Sequence, residues 1–330
     1  MQAWRTVQFV MTGMKHFTKS GYEKHAKEWA KAPDDVMQRS LRGRTAVVTG
    51  ANQGIGFQAS VDLARRGCKL IMVCRNQGRG EEARKKVQEA SGNDDVHLHL
   101  CDVSSLDSIQ RFVDELEAQS APVSILVNNA GVMINEPRPS ADGFETNFAT
   151  NTLGTFALTR RMLPALRRGA PARVITVTSG GMLTEPLEVE DLEGKRMSKF
   201  DGTKQYARNK RQQSALCERM AEVYGRDEAA PVRFYTMHPG WTGTEGVKNA
   251  MPDFDKSMGD KFRTLEQGAD TITWLALADE DKLEQGGFYL DRKPWPKHLT
   301  LARTSYSSAD VDRLWTQLET MAGLVGTPAA

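Results

Sequence analysis

From residue 41 onward the chain alternates two hydrophobic patterns. Short runs are apolar at nearly every position, and between them lie longer segments whose apolar residues recur every three or four. The runs at 46–49, Lys69–Cys74, 96–101, 124–127, 173–178, Val232–Met237 and 287–290 read as strands. The intervening segments read as helices: 57–67, 81–89, one carrying Ile109, Phe112, Val113 and Leu116 behind a Ser104 or Ser105 cap, 144–168, 206–224 and 266–278. Gly154 and Pro164 fall inside the 144–168 segment and should weaken or bend it. Near-continuous apolar strands alternating with amphipathic helices predict an α/β fold, with a parallel sheet covered on both faces. In such sheets the ligand crevice lies at the C-terminal ends of the strands.

Two flanks stand outside this pattern. In residues 1–40, Trp4, Val7, Met11, Met14 and Phe17 recur at helical spacing, with Arg5, Lys15, Lys19 and Lys24 between them. A basic amphipathic helix of this kind can lie on a membrane surface, and its lack of acids up to Tyr22 would also suit a transit peptide. Equally, it can pack its stripe on the domain's own surface, followed by a linker through Pro33-Asp34-Asp35; a Met/Phe/Val stripe favours that reading. At the other end Lys293-Pro294-Trp295-Pro296 breaks the fold. A last helix capped by Ser308 carries Val311, Leu314, Trp315, Leu318 and Met321. The expected division is an N-terminal helical extension (1–40), one α/β domain (41–300) and a C-terminal helical tail (301–330).

Composition narrows the function classes. A net charge of +2 over 330 residues gives no basic field demanding nucleic acid. Mean hydropathy is −0.50, and no apolar run is long enough to span a bilayer. Cys68, Cys74, Cys101 and Cys217 are scattered without C-x-x-C spacing, which argues against zinc and against a disulfide framework, and for a reducing, intracellular compartment. No secretory signal pattern is present. His97 and His99 share a strand face but have no third ligand, so they read as packing residues and no metal is expected. His238 has no assigned role.

The first strand runs into Thr49-Gly50-Ala51-Asn52-Gln53-Gly54-Ile55-Gly56 and then into a helix. A glycine turn between strand and helix lets backbone N–H groups and the helix N-terminus approach a pyrophosphate, although a tight connection alone also uses one. Further along come Asp102, Asn128-Asn129-Ala130-Gly131, Asn151, Ser179, Tyr206-Ala207-Arg208-Asn209-Lys210 and Pro239-Gly240. Over about 41–290 these motifs occur in the order found in short-chain dehydrogenases/reductases, and the chain resembles that family. It is most similar to the retinol-dehydrogenase-like end, and there to the member-twelve branch of the vertebrate dehydrogenase/reductase series, with which even the N-terminal extension agrees. The resemblance implies a single Rossmann-like, doubly wound sheet and oxidoreductase chemistry. Homodimers are common in that family.

Tyr206 and Lys210 are one helical turn apart, so both side chains can enter one cleft. A free tyrosine, with a pKa of about 10, is a poor base at neutrality. A nearby ammonium favours the phenolate, and an oxidised nicotinamide would add to the effect. Tyr206 is then expected to protonate the alkoxide formed in carbonyl reduction, or to deprotonate the alcohol in reverse. Ser179 would fix the substrate oxygen. The resemblance further implies that Lys210 holds the nicotinamide ribose and that Asn151 supports a water-linked proton path from Lys210.

The cofactor is expected against Gly50, Asn52, Gln53, Gly54, Ile55 and Gly56. Asp102 and the Val103 backbone would meet the adenine, and Asn129, Ala130 and Gly131 the adenosine ribose. The stretch from Pro239 and Gly240 would meet the carboxamide, with Thr242 or Thr244 on the phosphates. At the end of the second strand, Cys74-Arg75-Asn76 lacks the acid that takes a free ribose 2′-OH, so Arg75, helped by Asn52 or Arg79, favours NADP(H) over NAD(H). Between Ser179 and Tyr206 the chain is longer than the family's common spacing. There Met182, Leu183, Leu187, Leu192, Met197 and Phe200, with Trp241 and residues 247–262, either roof a lipophilic carbonyl or alcohol substrate or simply pack the loop on the domain. Two further classes are weighed against an enzyme: an NADPH-sensing module that has lost turnover, and a membrane-surface interaction protein using the N-terminal helix, which could coexist with catalysis through possible peripheral contact.

Overall fold

The computed structural model describes residues 2–31, 36–300 and 302–326; the proposed linker at Pro33-Asp34-Asp35 lies outside them. Its centre is one sheet built from β1 (Thr45–Thr49), β2 (Lys69–Cys74), β3 (Val96–Leu100), β4 (Ile125–Asn128), β5 (Ala172–Val177), β6 (Val232–Met237), β7 (Phe288–Leu290) and β8 (Lys293–Pro294). The order across the sheet is β3-β2-β1-β4-β5-β6-β7-β8, parallel throughout except for the antiparallel β8. The order reverses between β1 and β4, and there the connections leave to opposite sides and open a crevice.

Strand residues alternate between two buried faces, which is why the runs are apolar at nearly every position. Val47, Leu126 and Val174 enter one core; Val48, Val127 and Ile175 enter the other. An N-terminal hairpin, α1 (Gln2–His16) and α2 (Lys19–Trp29), precedes the sheet. Next come α3 (Gly54–Arg65), α4 (Gln77–Ser91) and α5 (Leu106–Ala118), the last capped by Ser105 rather than Ser104.

The segment read as one long helix over 144–168 is broken. It comprises α6 (Thr146–Phe148), a π-helical turn at Ala149–Gly154, α7 (Thr155–Arg161) and α8 (Leu163–Arg168), with Pro164 in the first turn of α8. The wide turn fits because Gly154 lies against the Val103 carbonyl, where a Cβ would collide. Then follow α9 (Gly202–Tyr224), α10 (Glu245–Ala250), α11 (Pro252–Met258), α12 (Leu265–Leu277) and α13 (Ser308–Met321). The N-cap of α13 is Ser307, not Ser308: its hydroxyl accepts from Asp310 N while the Asp310 carboxylate accepts from Ser307 N.

α9 positions the site. It lies in the interior, and Gln205, Asn209, Lys210, Arg211, Gln212, Gln213 and Ser214 are all buried. Buried polar side chains need partners, and two of these find them in the surrounding loops: Arg211 donates to Met182 O, Glu185 O and Lys297 O, and Gln205 to Leu192 O. This one helix thereby anchors the loop that follows β5.

Candidate active site

The turn after β1 uses its glycines as the sequence predicts. Gly50 (φ +63°) and Gly54 (φ +58°) adopt left-handed backbone, and a Cβ on Gly50 would sit 3.0 Å from Ala130 Cα. Asn129 is turned inward. Its Nδ2 donates to Thr49 O (2.9 Å) and Gly50 O (3.3 Å) and its backbone N–H to Thr49 Oγ1 (3.0 Å), so Asn129 latches the end of β4 to the glycine turn. Gln53 at the N-cap of α3 makes no side-chain cap, which leaves the first-turn N–H groups facing the crevice as an anion cradle. Asn52 and Ile55 are partly buried beside it, and Gly56 is buried. Thr244 Cγ2 lies 3.6 Å from where a Gly54 Cβ would be. The Thr242 hydroxyl instead donates to Pro239 O inside the turn at Gly240, so of the two threonines Thr244 is the one at the cradle.

Arg75 stands exposed at the end of β2, and Arg79 exposed in the first turn of α4. Asp102 Oδ1 accepts from Ser104 N (2.9 Å) and Ser104 Oγ (2.7 Å), so one oxygen of its carboxylate is engaged in capping its own turn. The neighbouring Val103 is buried. These residues fit a dinucleotide phosphate and sugar: a helix N-terminus without a side-chain cap, a turn with no Cβ at Gly50 and Gly54, and two exposed cations, Arg75 after β2 and Arg79 in the first turn of α4.

Ser179, Tyr206, Lys210 and Asn151 converge at the C-terminal ends of β4 and β5. Ser179 follows β5 in extended backbone (φ −148°), and its Oγ accepts from Gly181 N (3.2 Å). It also hydrogen-bonds the Tyr206 phenol, which partly offsets the burial that pushes that hydroxyl up to about 12. Lys210 Nζ lies 5.4 Å from the centre of the Tyr206 ring and donates to Val177 O (2.8 Å). Burial pulls its ammonium down to about 7. The expectation that Lys210 holds Tyr206 below the ordinary tyrosine range therefore does not describe this state. Desolvation dominates, and the resting phenol keeps its proton. Asn151 sits in the π-helical turn, its side chain pairing with Val132 N (2.9 Å) and Val132 O (2.8 Å). Gly131 faces both groups: a Cβ there would lie 3.1 Å from Asn151 Oδ1 and 3.4 Å from Lys210 Nζ.

Three contributors were not read as functional from the sequence. Gln213, one turn beyond Lys210, bonds Lys210 Nζ and the Asn151 carbonyl. His238 Nδ1 accepts from Gly180 N (3.0 Å), directly behind Ser179, while its ring meets Phe17 edge-on at 4.5 Å. Arg263 and Asp291 form a bidentate buried pair (2.6 and 2.7 Å), with His25 on the same carboxylate (2.7 Å). Arg263 also donates to Phe17 O and His16 O, so the pair pins the N-terminal hairpin beside the Pro239–Gly240 turn. Only partner geometry reveals these roles; a lone Gln, His or Arg carries no motif.

The hairpin presents an unexpected face. Arg5, Phe9, Gly13 and His16 turn towards the domain, and Gly13 is seated on the Trp241 ring. Of the apolar stripe only Phe17 is buried; Trp4, Val7, Met11 and Met14 are exposed. In the loop after Ser179, Met182, Leu183 and Leu192 are buried in the domain's cores, which favours the packing reading for those three. Phe9, Trp241, Phe254 and Phe262 form a chain of edge-on aromatic contacts beside it. His97 pairs with Asp95 and His99 with Glu115, and among the described residues no cluster could hold a metal ion.

A doubly wound sheet with an anion cradle after β1, and Ser, Tyr and Lys converging after β5, defines a dinucleotide-dependent oxidoreductase fold. The short chain dehydrogenase family model matches residues 44–189. Dehydrogenase/reductase SDR family member 12 of Bos taurus is 42% identical over 323 residues, covering 98% of this chain and 99% of that one. Retinol dehydrogenase 12 of Mus musculus is 30% identical over 83% of this chain and 85% of its own. A short chain dehydrogenase from Shigella flexneri, solved with NADP, superimposes with a TM-score of 0.60 at 21% identity, covering 78% of this chain and 100% of its own. The chain belongs to the short-chain dehydrogenase/reductase family, and is an oxidoreductase of the class that interconverts alcohols and carbonyls.

Proposed function

We propose that the protein transfers a hydride between NADP(H) and a lipophilic carbonyl or alcohol of the retinoid, steroid, fatty-aldehyde or aromatic-ketone type, with Tyr206 as general acid/base. The observation that carries this reading is the convergence of Tyr206 on the Ser179 hydroxyl, with Lys210 beneath the phenol ring, in one partly buried cleft. When bound, the nicotinamide supplies or accepts the hydride. Ser179 holds the substrate oxygen at the phenol. Tyr206 is protonated at rest, so it delivers its proton to that oxygen during reduction. Lys210 sets the electrostatics beneath the ring and would hold the nicotinamide ribose, and Asn151 holds the 132 backbone that walls the cleft.

The exposed Arg75, with no carboxylate at the strand end, supports NADP(H) over NAD(H). A lipophilic substrate is supported by the aromatic chain from Phe9 to Phe262 and by the similarity to a retinol dehydrogenase. Four buried, unpaired cysteines are in keeping with an intracellular, reducing location. A homodimer rests on the family resemblance alone.

The test is consumption of NADPH and of NADH by the purified full-length protein over a panel of lipophilic aldehydes and ketones, with Tyr206→Phe in parallel. Turnover should prefer NADPH and fall by about 10²–10⁴ in the variant. Turnover that survives the substitution would sink the role given to Tyr206, and a preference for NADH would sink that of Arg75.

A second reading, peripheral membrane contact, is favoured by the exposed stripe on α1: Trp4, Val7, Val10, Met11 and Met14 all face solvent. Among the described residues no helix is long and apolar enough to cross a membrane.

A further inference from the structure

We propose that Gln213 is a positioning residue which clamps the Lys210 ammonium and joins it to the backbone of Asn151. The inference deepens the proposed function and rests on its assignment of Lys210. Gln213 Oε1 accepts from Lys210 Nζ (3.1 Å), and its Nε2 donates to Asn151 O (2.5 Å) and more weakly to Thr155 Oγ1 (3.4 Å). All three linked residues are buried.

The amide orientation is dictated by its neighbours. A reversed amide would set its NH₂ against an ammonium and its oxygen against two oxygens. Asn151 lies in the π-helical turn that interrupts the regular α-helical bonding between α6 and α7.

Two consequences follow. First, among the described residues Lys210 has no carboxylate partner, and burial is what lowers its pKa. The groups that face it are the Tyr206 ring from its own helix, the Val177 carbonyl from β5, Gln213, and Asn151 Oδ1 across Gly131. The charged form is therefore held by two neutral acceptors, Val177 O and Gln213 Oε1, and the loss of either leaves a buried ammonium proton unmatched. Second, the amide accepts on one side and donates on the other, so it passes no proton. Lys210 and Asn151 are tied mechanically and electrostatically through Gln213, where the family resemblance implies a water-linked proton path.

The test follows the titration of the Lys210 side chain by its ¹³Cε chemical shift in the full-length protein, with the signal assigned by its loss in Lys210→Arg. Gln213→Met, similar in volume and without hydrogen bonds, should lower the Lys210 midpoint by about one unit. Gln213→Glu, which sets a carboxylate at the same place, should raise it by about one unit or more and provides the decisive reading if the Met variant does not fold. In alcohol oxidation the acid limb of the rate profile should move to higher pH in Gln213→Met, because a neutral Lys210 no longer favours the Tyr206 phenolate. Midpoints within about 0.3 unit of the parent in every folded variant would overturn the clamp. Because the Lys210 titration needs neither cofactor nor substrate, it separates this inference from the catalytic reading, whose failure would appear as turnover surviving in Tyr206→Phe.

Discussion

His238 stands directly behind the Ser179 turn, fully enclosed, and burial drives its imidazole from 6.5 down to about 3. The folded-state pKa lies below that of the unfolded chain, so the unfolded chain binds the extra proton. The stabilisation is therefore complete above about pH 6.5 and declines as the pH falls towards 3. At pH 5 the loss from this residue is about 2 kcal/mol. His298 and His16 are lowered in the same direction by burial and neighbouring cations. Thermal unfolding followed from pH 7 to pH 5 should show a falling Tm. His238→Asn, whose amide oxygen can still accept from Gly180 N, should show a shallower decline; an unchanged slope would remove His238 from the account. The residue itself was visible in the sequence, but its role was not, because an imidazole's partners come from elements far apart in the chain. Tyr206, Lys210, Ser179 and the glycines were legible because their spacing alone places them on one helix or one turn. Arg75 was legible for a different reason, namely the absence of an acid beside it.

Among the elements, β2 and β6 coincide with the spans read from their apolar runs, since a doubly buried strand writes itself as a continuous run. The breaks in 144–168 were foreshadowed by Gly154 and Pro164, but a π-helical turn has no periodicity signature. α1 shows another limit. Periodicity reveals that a helix has an apolar face, not what covers that face, and here the inward side is recognised through Gly13 and Phe9 meeting Trp241. What holds the hairpin down is the Arg263–Asp291 pair, both partners almost wholly buried. Removing one member strands the other charge, so Arg263→Met should cost about 3–5 kcal/mol. The double variant with Asp291→Leu should recover a large part, because it strands no charge. Denaturant unfolding of the two variants, with limited proteolysis across residues 1–40, checks this. Equal destabilisation by the single and double variants would mean that the pair acts by filling space rather than by charge.

For the molecule as a whole, the question is which side meets which environment. Among the described residues eight large apolar side chains are exposed, and five of them, Trp4, Val7, Val10, Met11 and Met14, lie on α1. The helix has no acidic residue, and Lys15 stands exposed in its last turn with Lys19 exposed at the start of α2. That combination suits an anionic lipid surface better than water. Flotation with vesicles containing phosphatidylserine should carry the protein upward, less so at high salt. A variant with Trp4, Val7, Met11 and Met14 all changed to Ser should partition at least about tenfold less, or about 1.4 kcal/mol. Its Tm should stay close to the parent's, since these side chains are already solvated. Equal flotation of parent and variant would assign the stripe to something other than lipid. The geometry makes the outcome bear on catalysis, because the same helix that shows its stripe outward seats Gly13 on Trp241 inward, beside the turn that follows β6. A bilayer on the outer face would then lie about one helix diameter, roughly 10 Å, from the Trp241 ring.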